Sequence, residues 1–148
     1  MFNTTIATQI YAKICFEATN SQKKIIENLS EYLSDDDFSR IFVLNGFAGT
    51  GKTTLIAALV AALKELRIKP VLLAPTGRAA KVLARYCGEQ ALTIHKRIYR
   101  QRTNADYESK FSLDFNREQG AVFIVDEASM LSDSTGDGAL FGSGSLLE

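Results

Sequence analysis

The chain alternates between two kinds of hydrophobic pattern. Ile41-Phe42-Val43-Leu44, Val71-Leu72-Leu73-Ala74 and Ala121-Val122-Phe123-Ile124-Val125 are short continuous apolar runs. Such runs predict strands buried on both faces, as in a parallel sheet. Between them the pattern turns helical. Residues 5 to 18 predict a short amphipathic helix. A second helix is expected from Thr19-Asn20-Ser21-Gln22, where Thr19 and Gln22 have capping-box spacing. Ile25, Ile26, Leu29 and Leu33 give it an apolar face, and Ser34-Asp35-Asp36-Asp37 ends it. Thr53 to about Leu66 is rich in alanine and leucine and must stop before Pro70. Arg78 to Tyr86 is helical with Gly88 as its stop, and Thr93 is placed to cap a short helix through Tyr99. Residues 101 to 119 are polar and read equally as hairpin or loop. The tail from Ser132 to Ser145, rich in Gly, Ser and Asp, is expected to be loosely held. Strand, helix, strand, helix, strand makes an α/β sheet with helices on both faces.

Composition narrows the class only slightly. At 148 residues, 46% hydrophobic and 23% charged, the chain fits one globular domain. The longest apolar run, Leu55 to Leu63, is too short to span a bilayer, and the N-terminus is no secretory signal. Cys15 and Cys87 stand apart without a pairing or metal-binding pattern, so both read as reduced thiols of a cytoplasmic protein. The zero net charge hides an asymmetry: Lys64 to Arg102 holds ten Lys or Arg against two acids, whereas the segment from Thr103 onward holds two bases and nine acids. The basic segment is either a positive face for phosphate backbones or a set of solvated helix faces.

The motif that decides the class is Gly46-Phe47-Ala48-Gly49-Thr50-Gly51-Lys52-Thr53, a full match to G-x-x-x-x-G-K-[ST]. Its glycines let the backbone turn tightly and point N–H groups at an anion, and the loop opens a helix whose N-terminus is partly positive. Lys52 is placed to reach terminal phosphates, and the Thr53 hydroxyl to bind a Mg²⁺ that bridges them. The loop follows an apolar strand and precedes a helix, the context the motif requires. A second feature is Asp126-Glu127, at the carboxyl end of the third apolar run, where ligands bind in such sheets. Asp126 is assigned to Mg²⁺ through water and Glu127 to the attacking water. In isolation the pair reads as loop acids capping a helix; beside a P-loop it reads as catalytic.

Four strings carry a family resemblance: Gly46 to Thr54, Ala74-Pro75-Thr76-Gly77-Arg78-Ala79-Ala80, Thr93-Ile94-His95-Lys96, and Val125-Asp126-Glu127-Ala128-Ser129-Met130. They resemble motifs I, Ia, Ib and II of superfamily 1B helicases, in particular the RecD-like group of exonuclease V alpha subunits and Dda-like helicases. The resemblance covers residues 19 to about 131. It implies a RecA-like P-loop NTPase fold with a mostly parallel three-layer sheet, ATP with Mg²⁺, and translocation on single-stranded DNA, typically 5′ to 3′. It also implies a place in recombination or repair, possible helicase-nuclease partner subunits, and no membrane. Carried over by position, Gly46, Ala48, Gly49, Thr50, Gly51, Lys52, Thr53 and Thr54 hold the nucleotide, Lys52 and Glu127 serve catalysis, and Thr53 and Asp126 hold the metal. Gln22 resembles an upstream glutamine that reads the adenine edge, a role compatible with the capping box. Thr76, Arg78 and His95 match positions near the DNA strand, although Thr76 and Arg78 also suit a capped, solvated helix and His95 a structural role.

The resemblance divides the chain into an N-terminal helical segment (1–40), a P-loop core (41–131) and a tail (132–148) that stops before the family's motif III. The second RecA-like domain and its arginine finger are expected to be missing, and such an arginine is worth ~10³ or more in rate. The chain alone is therefore expected to bind nucleotide, hydrolyse it slowly and unwind nothing. The terminal Leu147-Glu148 reads as a cloning scar on an expressed fragment. The family's next strand lies between the P-loop strand and the Asp126 strand, so the sheet is expected to be incomplete, with a gap, a rearranged pairing or a borrowed strand. Three other readings stay open: an ATPase that remodels proteins, a small-molecule kinase, and an inactive interaction domain. Asp126-Glu127 favours water over a substrate hydroxyl as nucleophile.

Overall fold

The computed structural model describes residues 2–35, 37, 40–103, 109–113, 116 and 118–131. The expected tail, 132–148, lies outside them. The described residues fall into two compact units, one of those up to 70 with 86–88 and one of 71–85 with those from 89 to 131.

The first unit is built on three helices, α1 (Phe2–Lys13), α2 (Asn20–Leu33) and α3 (Lys52–Glu65). The first helix is shifted toward the N-terminus of the expected span; Ile6 and Ile10, one turn apart, are its fully enclosed positions. Both α2 and α3 pack against α1. Ile26 and Leu29 of α2 join Leu55, Leu59, Val60 and Leu63 of α3 in the core. Ser30 is wholly buried, and its hydroxyl accepts a hydrogen bond from the Ala7 N–H at 3.2 Å. The capping box forms as the sequence predicts: the Gln22 N–H donates to Thr19 Oγ1 at 3.3 Å, and the Thr19 N–H donates to Gln22 Oε1 at 3.0 Å. Ser34 is the C-cap.

Ile41-Phe42-Val43-Leu44 departs from expectation. The segment enters no strand ladder among the described residues. Ile41 is 86% and Val43 81% exposed, whereas Phe42 and Leu44 are half-buried. The alternation has a physical cause. Tyr32 of α2 packs its ring on Phe42 (centroids 5.5 Å apart) and donates its hydroxyl to the Arg40 carbonyl at 2.8 Å. Arg40 also pairs with Asp35 and Asp37. One side of the run is therefore held against α2, and the other has neither a covering layer nor a neighbouring strand among the described residues.

The second unit holds a three-stranded sheet in the order β2-β1-β5, made of β1 (Pro70–Ala74), β2 (Ala91–Thr93) and β5 (Val122–Val125). Strands β1 and β2 run parallel with Leu72 opposite Ala91 and Ala74 opposite Thr93. The central strand is buried from Val71 to Ala74, which explains its unbroken apolar run. Val71, Leu73 and Ile94 form a cluster closed by Leu92, Ile98, Ala121 and Leu131. The β5 strand is present, but as a sheet edge: Phe123 is 41% and Val125 37% exposed, so the expected two-sided burial is not met. Helix α4 (Gly77–Cys87) buries Ala80 and Leu83, and Thr93 caps α5 (Ile94–Ile98) by accepting from the Lys96 N–H at 3.2 Å. The ambiguous polar stretch contains an antiparallel pair, β3 (Tyr99–Thr103) and β4 (Ser109–Leu113), with Tyr99 opposite Leu113. An Arg97–Glu118 ion pair at 3.1 Å ties α5 to the segment before β5. Among the described residues no helix is long and apolar enough to cross a membrane.

Together these elements are an α/β fold of the P-loop, RecA-like kind, with an incomplete sheet.

Candidate nucleotide-binding site

The loop from Gly46 to Gly51 runs directly into α3. Gly49 and Gly51 sit at φ +79° and +83°, the left-handed region that residues with a Cβ avoid. Gly51 is the N-cap of α3 and offers no side-chain cap, so the first N–H groups of the helix remain available to an anion. A Cβ on Gly51 would meet Gln22 Nε2 at 2.9 Å, so a side chain there would push the Gln22 amide aside.

Within the loop, Lys52 Nζ donates to the carbonyls of Gly46 and Phe47 at 2.6 and 2.7 Å. The Thr50 hydroxyl donates to the same Phe47 carbonyl at 2.8 Å. The ammonium is thus held by carbonyl dipoles directly across the loop that carries the N–H groups. A phosphate is a stronger acceptor and would draw Lys52 toward the loop's mouth. Ala48 lies exposed at the loop's turn, Thr53 is half-buried in the first turn of α3, and Thr54 is exposed beside it.

Gln22 joins this group. Its Nε2 donates to the Thr50 carbonyl at 3.4 Å while its Oε1 serves the capping box. A primary amide has two donors and two acceptor sites, so one of each remains. Gln22, Gly46, Gly49, Thr50, Gly51 and Lys52 share one cleft of about 650 Å³, a size usual for small-molecule sites. Phe16 also lines this cleft. Sequence reasoning did not single it out; an aromatic in the polar stretch just before the capping box is the signal that was available.

The second unit gathers the remaining candidates at the carboxyl ends of its strands. Asp126 follows β5 and its N–H donates to the Leu73 carbonyl of β1 at 3.0 Å. Its carboxylate accepts from the Glu127 N–H at 3.0 Å, and the Glu127 carbonyl accepts from Met130 at 3.0 Å to start the turn Ala128–Met130. Glu127 is exposed and sits at φ +56°, a left-handed conformation that costs a glutamate about 1–2 kcal/mol. Strain of this kind concentrates at functional positions. Thr76, just past β1, is exposed; its hydroxyl accepts from the Ala79 N–H at 3.2 Å and caps α4. Arg78 is exposed in the first turn of α4. His95 is half-buried in α5 and packs against the Tyr99 ring at 5.8 Å.

A glycine-rich loop that opens a helix with its own backbone as the cap and carries Lys52 defines a P-loop protein. The profile of the AAA domain family matches residues 17–140, and the chain belongs to that family. It is similar to the ATP-dependent RecD2 DNA helicase of Deinococcus radiodurans, at 29% identity over 114 residues, covering 77% of this chain and 15% of that protein. It is also similar to the ATP-dependent DNA helicase dda of phage T4, at 37% identity over 92 residues, covering 59% of this chain and 20% of that protein. The chain thus spans a fifth or less of the length of either relative.

Proposed function

We propose that this chain is an ATP-binding and ATP-hydrolysing domain of a DNA helicase of the RecD-like kind. The observation that carries the reading is the loop itself: free N–H groups at a glycine-capped helix start, with Lys52 poised on loop carbonyls. The two helicase relatives support the DNA part.

In this reading the phosphates of ATP lie in the loop from Gly46 to Gly51, over the N–H groups of Lys52, Thr53 and Thr54. Lys52 leaves its carbonyls and meets the terminal phosphates. The remaining donor and acceptor of Gln22 match the N7 acceptor and N6 donor of adenine. Thr53 offers a hydroxyl and Asp126 a carboxylate, oxygen donors of the hard kind that Mg²⁺ takes. Bound with the nucleotide, the metal would neutralise charge on the phosphates. Glu127, exposed and held in a left-handed conformation, orients the attacking water. Thr76, Arg78 and His95 face single-stranded DNA, supported by the basic segment from Lys64 to Arg102. Translocation runs 5′ to 3′ and needs a partner helicase domain closing on this one; the chain alone turns ATP over slowly and unwinds nothing.

Anisotropy of a labelled single-stranded oligonucleotide tests the DNA part. Saturable binding that weakens with salt and with Arg78→Ala supports it. Absence of binding, with the nucleotide still bound, removes the helicase reading and leaves an ATPase that remodels proteins.

A further inference from the structure

We infer that Phe16 is the base-stacking wall of the nucleotide cleft, the side chain that holds the flat face of the purine while Gln22 reads its edge. The inference rests on the proposed nucleotide reading and adds a residue to it.

Phe16 stands between α1 and α2 and is 42% exposed, with Cys15 and Glu17 exposed on either side. Its ring is one of several large apolar groups of the helical unit left in water, with Tyr11, Ile41, Val43 and Phe47. It lines the same cleft as Gln22 and the P-loop. The cleft thus combines two kinds of lining: the phosphate loop with Lys52, and Phe16, Ile25 and the Gln22 amide. A ligand with an anionic tail and a planar, mostly apolar head matches that combination.

Gln22 fixes a base edge in its plane but covers neither face. A base held by two hydrogen bonds in water gains little unless a face is also covered, and aromatic side chains supply that cover for any base. Two aromatic side chains line the cleft, Phe16 and Phe47. Phe47 belongs to the phosphate loop, its carbonyl already held by Lys52 and Thr50, and its ring is 89% exposed. Phe16 instead lies three residues before Thr19, whose capping box with Gln22 fixes where that connection ends. The ring and the edge-reading amide thus share one short, anchored stretch of chain.

Two substitutions separate stacking from folding. Phe16→Leu keeps an apolar side chain and removes the π-face. Phe16→Trp keeps stacking and, because the chain has no other tryptophan, provides a unique fluorophore. Binding of Mg·ATP, Mg·GTP and Mg·tripolyphosphate is measured by calorimetry for wild type and Phe16→Leu, with circular dichroism of both. Phe16→Leu is expected to weaken ATP and GTP alike by about tenfold, in line with base–aromatic stacking, and to leave tripolyphosphate unchanged. ATP, and not tripolyphosphate, is expected to quench Phe16→Trp fluorescence. Unchanged ATP affinity in Phe16→Leu overturns the inference while the P-loop reading stands. Equal loss of ATP and tripolyphosphate also overturns it, since the ring would then be structural. If wild type binds neither ATP nor tripolyphosphate, the nucleotide reading fails and the inference with it.

Discussion

The Gln22 amide donates to the Thr50 carbonyl at 3.4 Å, so the residue that caps α2 also touches the phosphate loop. This contact joins a helix start, a loop and a cleft in one hydrogen-bonded unit, and it separates two roles that the sequence alone leaves merged. Thr19→Ala and Gln22→Ala are both expected to lower stability by about 1 kcal/mol through loss of the cap. Only Gln22→Ala is expected to erase a preference for ATP over GTP. Thermal unfolding and competition binding of the two variants check this.

Gly49 and Gly51 have nearly the same backbone conformation but different surroundings. A Cβ at Gly49 meets nothing within 4 Å, whereas at Gly51 it meets Gln22 Nε2 at 2.9 Å. Gly49→Ala is expected to cost about 1–2 kcal/mol from its left-handed φ alone. Gly51→Ala is expected to cost at least that and also to displace Gln22, so that it weakens ATP binding beyond the effect of Gly49→Ala. Urea unfolding and nucleotide titration of both variants provide the comparison.

Glu127 carries conformational strain that glycine would not. Glu127→Gly is expected to raise stability by about 1 kcal/mol and to abolish ATP turnover. A variant that loses stability would show that the glutamate side chain is needed by the fold.

Ile41 and Val43 distinguish the observed segment from the buried strand their pattern predicts. Ile41→Ser and Val43→Ser are expected to change stability by less than ~0.5 kcal/mol, as exposed substitutions do. Leu72→Ala, in the buried central strand, is expected to cost about 2–5 kcal/mol. A large loss at Ile41 in chemical denaturation would contradict the exposed placement.

These contrasts mark what is legible in the sequence. Local chemistry is readable wherever neighbours in sequence satisfy each other: the Thr19–Gln22 box, the Thr93 cap, the glycine loop opening α3 and the buried run of β1 all form as their residues predict. What depends on a distant partner is not. Ile41-Phe42-Val43-Leu44 and Val122 to Val125 have the same continuous apolar pattern as β1, yet among the described residues the first has no ladder and the second is a half-exposed edge. Periodicity reports that a run seeks cover; it does not report whether a neighbouring strand is there to supply it. The β3–β4 pairing is hidden for the opposite reason: β3 is polar throughout after Tyr99, and the Phe111-Ser112-Leu113 alternation of β4 is too short to name a partner strand. At the site, the loop and the acid pair are legible from residue type and spacing. Phe16 is near Gln22 in sequence, but no spacing rule says that its ring lines the cleft.

The central claim is that the Gly46–Thr53 loop is a working nucleotide site. Titration of Mg·ATP into the chain by calorimetry, beside Lys52→Ala with matched circular dichroism, tests it most directly. Saturable one-to-one binding by wild type, lost or weakened at least tenfold in Lys52→Ala, is the predicted result. Equal binding by the two proteins, or none by a folded wild type, would contradict it.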